Sequence, residues 1–349
     1  MKTFTCVCGA TLFFENSLCL RCHRDLGWCP ACEHLTALLP ADDGSYTCGR
    51  SACGASLVKC ENYVEHNVCN RCRLAGDGPG LCDACRFNQT IPDLSVEGNK
   101  EKWFKLEQAK RRLLYELDGL RLPYGEDVTL PLAFDFKADT IPDDARWNGS
   151  DAEGEKVYTG HADGLITINL AEADPAEREA NRVKFGERHR TLIGHFRHEV
   201  GHYFWQLLVQ DDPAEVGRFK DVFGDHEDPT YSDAMDAYYA NGPADDWQQR
   251  SVSAYATMHP WEDFAETWAA YLDMAGVLDT AAEAGFGVHR VGPAATADEL
   301  TIDYARVGVF MTEMNRVMGL LDFVPQTFGP GVGPKLDYVH GLVNRHRQS

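Results

Sequence analysis

The chain has 349 residues, of which 33 are Lys or Arg and 54 are Asp or Glu, a formal charge of −21. So acidic a chain argues against a general binder of nucleic acid or of an anionic membrane. Its length suits about two domains with buried cores, its 44% hydrophobic content is that of a globular protein, and no apolar run approaches the ~18 residues of a membrane span.

All 13 cysteines lie between Cys6 and Cys85. No apolar stretch precedes Cys6, so no signal peptide is expected and the protein is assigned to the cytoplasm, where clustered thiols are metal ligands rather than disulfides. Cys6-x-Cys8 with Cys19-x-x-Cys22 forms one four-thiol set, and Cys29-x-x-Cys32 with Cys48 and Cys53 forms a second. Both spacings are those of structural zinc ribbons. Cys60, Cys69, Cys72, Cys82 and Cys85 remain for a third set, and spacing alone prefers Cys69-x-x-Cys72 with Cys82-x-x-Cys85. Residues 1–92 show little helical period, as expected where metal holds the fold. They are nearly neutral and lack a basic stripe, so a protein partner or plain structural support suits them better than nucleic acid.

From Lys100 the pattern turns helical, with Trp103, Leu106, Ala109, Leu113, Leu117 and Leu120 on one face and Gly119 and Pro123 as stop signals. Gly164 to Leu170 reads as a strand. Asp174-Pro175 opens a helix with Glu177 and Glu179 in its first turn. Long helical patterns follow over Thr191 to Val209 and over Gln248 to Met274, the second broken at His259-Pro260. Between them, Asp211 to Trp247 carries eleven acidic residues against Arg218 and Lys220, which reads as a solvated connection or a lid. Ala281 to Ala297 reads as a loop.

His198-Glu199-Val200-Gly201-His202 is an HExxH motif inside the first long helix. Residues four apart share a helix face, so both imidazoles reach one metal ion while the glutamate stays free to take a proton from the attacking water and pass it to the leaving amine. Trp205 and Leu208 stand where a continuous HExxHxxGxxH would need glycine and histidine, which excludes the metzincin pattern. The third ligand is then assigned to Glu262 in Trp261-Glu262-Asp263-Phe264-Ala265-Glu266, a gluzincin-like arrangement in which a second helix supplies the carboxylate. Glu266, one turn on, is placed to hydrogen-bond a ligand histidine; His226 and His259 are weaker ligand candidates. Tyr255 and His161 are the candidate donors to a developing oxyanion, and His195 is read as a packing neighbour. The acidic Asp211 to Trp247 stretch points to substrates that are basic near the scissile bond.

Several long stretches resemble the bacterial zinc-binding metallopeptidases that carry an N-terminal zinc ribbon. They include Leu12-Phe13-Phe14-Glu15-Asn16, Thr90-Ile91-Pro92-Asp93-Leu94-Ser95, Gly160 to Asp174, Gly194 to Tyr203, Val252 to Ala256 and His259 to Ala269. The resemblance implies an α+β fold: N-terminal Cys-rich ribbons over residues 1–92, then a mainly helical zincin-like peptidase domain with a small β-sheet over 93–349. It implies His198, His202 and Glu262 as ligands of one catalytic Zn2+, with Glu199 as base and two to three structural zinc ions besides. The family pattern of Cys-x-Asn (Cys60-Glu61-Asn62) and Cys-Asn (Cys69-Asn70) before a final Cys-x-x-Cys favours Cys60, Cys69, Cys82 and Cys85 as the third set, with Cys72 left over. This chain departs from that pattern in its closer Cys6–Cys8 pair and in the additional set at Cys29, Cys32, Cys48 and Cys53. Peptide or protein is the implied substrate, a multi-zinc adaptor that binds peptides without cutting them is the alternative, and the ribbons are a candidate surface for a protein partner.

Overall fold

A computed structural model describes residues 2–139, 156–184, 190–320, 322 and 327–348. The fold is α+β, a Cys-rich region built of short strands followed by a mainly helical part. The chain divides into two compact units that are not consecutive segments: unit 1 is Met1–Arg112, Ala133–Tyr158 and Thr167–Asp174, and unit 2 is Leu113–Leu132, Thr159–Ile166 and Pro175–Ser349. Among the described residues no helix is long and apolar enough to cross a membrane.

Unit 1 begins with the antiparallel pair β1 (Phe4–Thr5) and β2 (Thr11–Leu12). A five-stranded antiparallel sheet follows, its strands adjacent in chain order: β3 (Leu26–Cys29), β4 (His34–Pro40), β5 (Tyr46–Cys48), β6 (Ser56–Lys59) and β7 (Cys72–Leu74). The one-turn helix α1 (Glu61–Val64) lies between β6 and β7. So short a set of strands has a small core, here Trp28 with Phe4 and Phe14 edge-on at 5.8 and 5.4 Å and an apolar cluster of Cys29, Leu38, Cys48, Leu57 and Cys72. Strand β8 (Asn88–Thr90) pairs in parallel with β9 (Ala133–Lys137). The helix α2 (Asn99–Leu120) begins in unit 1, where Lys110 is wholly buried between Glu107 and the rings of Phe134 and Phe136.

Unit 2 takes Leu113–Leu120 of α2 and the strand β10 (Gly160–Ala162), which turns through Gly164 at φ +81° into β11 (Leu165–Asn169), whose first two residues belong to this unit. A Cβ at Gly164 would meet the Pro131 carbonyl oxygen at 2.5 Å, so the turn requires glycine twice over. The helices follow in order: α3 (Pro175–Lys184), α4 (Leu192–Leu208), α5 (Pro213–Phe223), α6 (Tyr231–Asn241), α7 (Trp247–Arg250), α8 (Pro260–Glu283), α9 (Ala297–Met318) and α10 (Gly333–His346). Thr191 caps α4 by accepting from the Gly194 amide at 3.0 Å. His259 caps α8 by accepting from the Trp261 amide, and Pro260 fills the first helical position.

The segment from Asp211 to Trp247 is not the open connection its charge suggests, because it folds into α5 and α6. Asp212 and Thr230 cap these helices, and Phe219, Phe223 and Ala234 bury an apolar face that the net charge masks.

Helices α4 and α8 pack at van der Waals contact through Gly201, where an added Cβ would lie 2.9 Å from the Ala265 Cα and 3.1 Å from the Trp268 Cβ. Next to it Phe204 stacks on Trp268 at 4.7 Å. Gly201→Ala is therefore expected to destabilise unit 2 by about 1–3 kcal/mol, the usual cost of overpacking. Gly217→Ala on exposed α5, with nothing within 4 Å of its Cβ, is expected to be neutral or stabilising by up to about 1 kcal/mol. Denaturation midpoints of the two variants check both signs.

Candidate metal centre

The α4–α8 contact fixes the geometry of the site. His198 and His202 rise one turn apart from one face of α4, and Glu262 comes from the first turn of α8 opposite them. Their donor atoms converge, with His198 Nε2 to His202 Nε2 at 3.1 Å, His198 Nε2 to Glu262 Oε2 at 3.1 Å and His202 Nε2 to Glu262 Oε2 at 3.5 Å. A tetrahedral zinc with bonds of about 2.0 Å separates its ligand atoms by about 3.3 Å. The three donors therefore fit one zinc ion without moving. Glu262 is 2% exposed, and its Oε2 is buried with no hydrogen bond, a costly arrangement for a carboxylate unless a cation meets it.

Electrostatics follow the same geometry. Burial would raise Glu262, but the two imidazoles outweigh it and hold the carboxylate well below its ordinary range. Glu266 Oε1 lies 2.6 Å from His198 Nδ1, so that ring donates from Nδ1 and presents its Nε2 lone pair to the site. His202 has no such partner among the described residues, since its Nδ1 is buried without a hydrogen bond. Its ring is held instead by Trp261, stacked at 3.6 Å and 29°. Glu199, between the histidines in sequence, is buried at 8% exposure on α4.

The other sequence candidates lie around this centre. The Tyr255 ring is 6.2 Å from that of His198, on the wall of the site. His161 sits in β10 beside the turn, where its Nε2 accepts from the Gly164 amide at 3.1 Å and its ring meets Tyr203 edge-on. Burial and the neighbouring His202 push its pKa down to about 4, which leaves it a neutral imidazole. His259 is occupied as the α8 cap and His226 packs on Trp205 and Phe219, so neither joins the donors. Asp263 turns away from the centre to pair with Lys335 of α10. Sequence reasoning missed Tyr231, whose hydroxyl donates to Glu262 Oε1 at 2.8 Å, and the stacking role of Trp261. The Thr230-x-x-Asp233 cap after Pro229 marked a helix start there, with an aromatic residue in an otherwise acidic stretch.

In unit 1 the thiols gather into three groups of four: Cys6, Cys8, Cys19 and Cys22; Cys29, Cys32, Cys48 and Cys53; and Cys60, Cys69, Cys82 and Cys85. Sulfur separations of 3.6 Å in the first group and 3.8 Å in the other two match the ~3.8 Å between ligands of a tetrahedral zinc with Zn–S near 2.3 Å. The third group is not the one spacing alone prefers. The register pairs Cys72 with Lys59 in the sheet and turns its sulfur into the gap above Gly27, where a Cβ would lie 2.4 Å from it.

Comparison with known proteins gives two matches along the chain. Residues 3–96 match a zinc-ribbon domain, and residues 99–342 match the family described as "Putative zinc-binding metallo-peptidase". Uncharacterized proteins of Mycobacterium bovis and Mycobacterium tuberculosis are each 35% identical over 355 aligned residues, covering 99% of this chain and 96% of theirs. No solved structure matches the chain. Matched over most of its length by the family model and nearly end to end by these relatives, the protein belongs to that zinc-binding metallo-peptidase family.

Proposed function

We propose that the protein is a zinc metallopeptidase of the cytoplasm, acting on peptide or protein substrates at the centre formed by His198, His202 and Glu262. The observation that carries this reading is the convergence of three donors from two helices, His202 and Glu262 buried and His198 half-buried, with Glu199 beside them on α4. When bound there, zinc supplies Lewis acidity to the scissile carbonyl and makes water a better acid. The chain's own residues do the rest. His198 and His202 direct their Nε2 atoms at one point, the first ring oriented by Glu266 and the second by the Trp261 ring. Glu199 takes a proton from the attacking water and returns it to the leaving amine. The phenol-bearing wall that includes Tyr255 provides the donor for the developing oxyanion. The three four-thiol groups hold residues 1–92 as structural ribbons, closed sites with no position for substrate, and leave their outer surface to dock a substrate or partner protein.

Removing the carboxylate that orients His198 tests the ligand assignment. Glu266→Gln is expected to weaken zinc at this centre by about 10–100-fold, the usual cost of losing such a partner, with the ribbon zinc unchanged. Competition with a chelator of known affinity measures both.

The test of function is a survey of new protein N-termini in cells expressing the intact chain or Glu199→Gln, at matched abundance and zinc content. Termini that depend on Glu199 and are reproduced by purified protein identify substrates. Equal termini with full zinc sites would replace the peptidase reading by that of a peptide-binding adaptor.

A further inference from the structure

Glu262 has two carboxylate oxygens, and they have different neighbours. Oε2 faces the two histidines, at 3.1 and 3.5 Å. Oε1 accepts from the Tyr231 hydroxyl at 2.8 Å. Tyr231 is the first residue of α6, fixed by the Thr230 cap, and its ring packs edge-on against Trp261 at 5.7 Å and His259 at 5.3 Å. Both neighbours belong to the start of α8, so the phenol is held at the helix end that also carries Glu262. Tyr255 lies alongside it, interacting with Tyr231 and within electrostatic reach of the same carboxylate.

A carboxylate binds a divalent cation through one oxygen or through both. Two oxygens and two imidazoles would already fill four positions, whereas hydrolysis at such a centre needs three protein ligand atoms and an open place. A strong donor on one oxygen shifts the balance between these modes, because it draws on the electron density of that oxygen and competes with a second metal bond to it. We propose that Tyr231 is a positioning residue of the metal centre, whose hydroxyl occupies Glu262 Oε1 so that Glu262 offers Oε2 alone. This rests on the reading of His198, His202 and Glu262 as the donor set. It also gives the acidic segment a definite task, since the helix beginning at Tyr231 is fastened to the third ligand.

Tyr231→Phe tests this by removing one oxygen at a residue 37% exposed, where little packing is lost. The full chain is prepared with zinc in the ribbons and either zinc or cobalt(II) at the His/His/Glu centre. The variant is expected to bind zinc there about 10–100-fold more weakly, and its cobalt bands in the visible are expected to lose intensity as a fifth ligand atom joins. Tyr239→Phe, at an exposed tyrosine of the same helix, is expected to change neither. Unchanged affinity and spectrum in Tyr231→Phe would overturn the proposal, as would weaker binding with an unchanged spectrum, since Glu262 would then be held to one oxygen without the phenol. His198→Ala is measured alongside. Should it bind metal as tightly as the intact chain, the donor set itself is wrong and the assignment to Tyr231 falls with it.

Discussion

Glu199→Gln is expected to lower the rate of peptide hydrolysis by about 10²- to 10⁴-fold while leaving the zinc content and the fold unchanged. The substitution is close to isosteric and the three donor atoms belong to other residues, so the metal centre has no reason to reorganise. What disappears is a base: an amide cannot accept a proton at neutral pH. Because the proton moves only in the transition state, the loss belongs in kcat, with KM nearly constant. The expected factor corresponds to about 3–5 kcal/mol of barrier. The measurement is steady-state hydrolysis by purified protein of a peptide taken from the terminus survey, with zinc per chain determined on the same samples. Hydrolysis at the wild-type rate would place the chemistry outside this centre, and zinc loss in the variant would make the comparison uninformative about the base, so the zinc determination decides which has happened.

Local pattern made part of this centre legible. The i, i+4 spacing of His198 and His202 fixes a shared helix face whatever surrounds it, and Glu262 and Glu266 show the same spacing on a helix with a clear start at His259-Pro260. Tyr231 was not legible, because its bond to Glu262 spans 31 residues and joins two helices whose packing no local pattern specifies. The helices α5 and α6 were hidden by composition. Their charged faces dominate the sequence, while the buried face amounts to a few positions such as Phe219, Phe223 and Ala234. The third thiol group shows the same limit in another form. Spacing counts residues along the chain, and Cys69-x-x-Cys72 is a plausible knuckle by that count. Sheet register decides otherwise, since β7 places Cys72 opposite Lys59 within the sheet and Cys60 lies just past the end of β6.

That distinction yields the second large effect. Cys60→Ser is expected to release one zinc per chain and to unravel the third ribbon, whereas Cys72→Ala is expected to keep every zinc. Zinc held by structural sites is worth about 10–16 kcal/mol in small peptides; divided among four thiolates this is about 3 kcal/mol each, or a loss of about 100- to 1,000-fold in affinity for one ligand. Cys60, Cys69, Cys82 and Cys85 are at most 3% exposed, so water cannot readily replace the missing sulfur, and the remaining thiolates would face one another in a buried space. Cys72 is equally buried but sits among Leu38, Leu57 and the backbone of Gly27. Burial pushes its thiol up to about 12, so it is a protonated, apolar packing group at neutral pH. Truncation to alanine leaves a small cavity costing about 1 kcal/mol. Zinc per chain and the melting profile of each variant separate the two roles. Loss of zinc from Cys72→Ala with retention in Cys60→Ser would reverse the assignment, and with it the placement of β7 that turns Cys72 away from the metal.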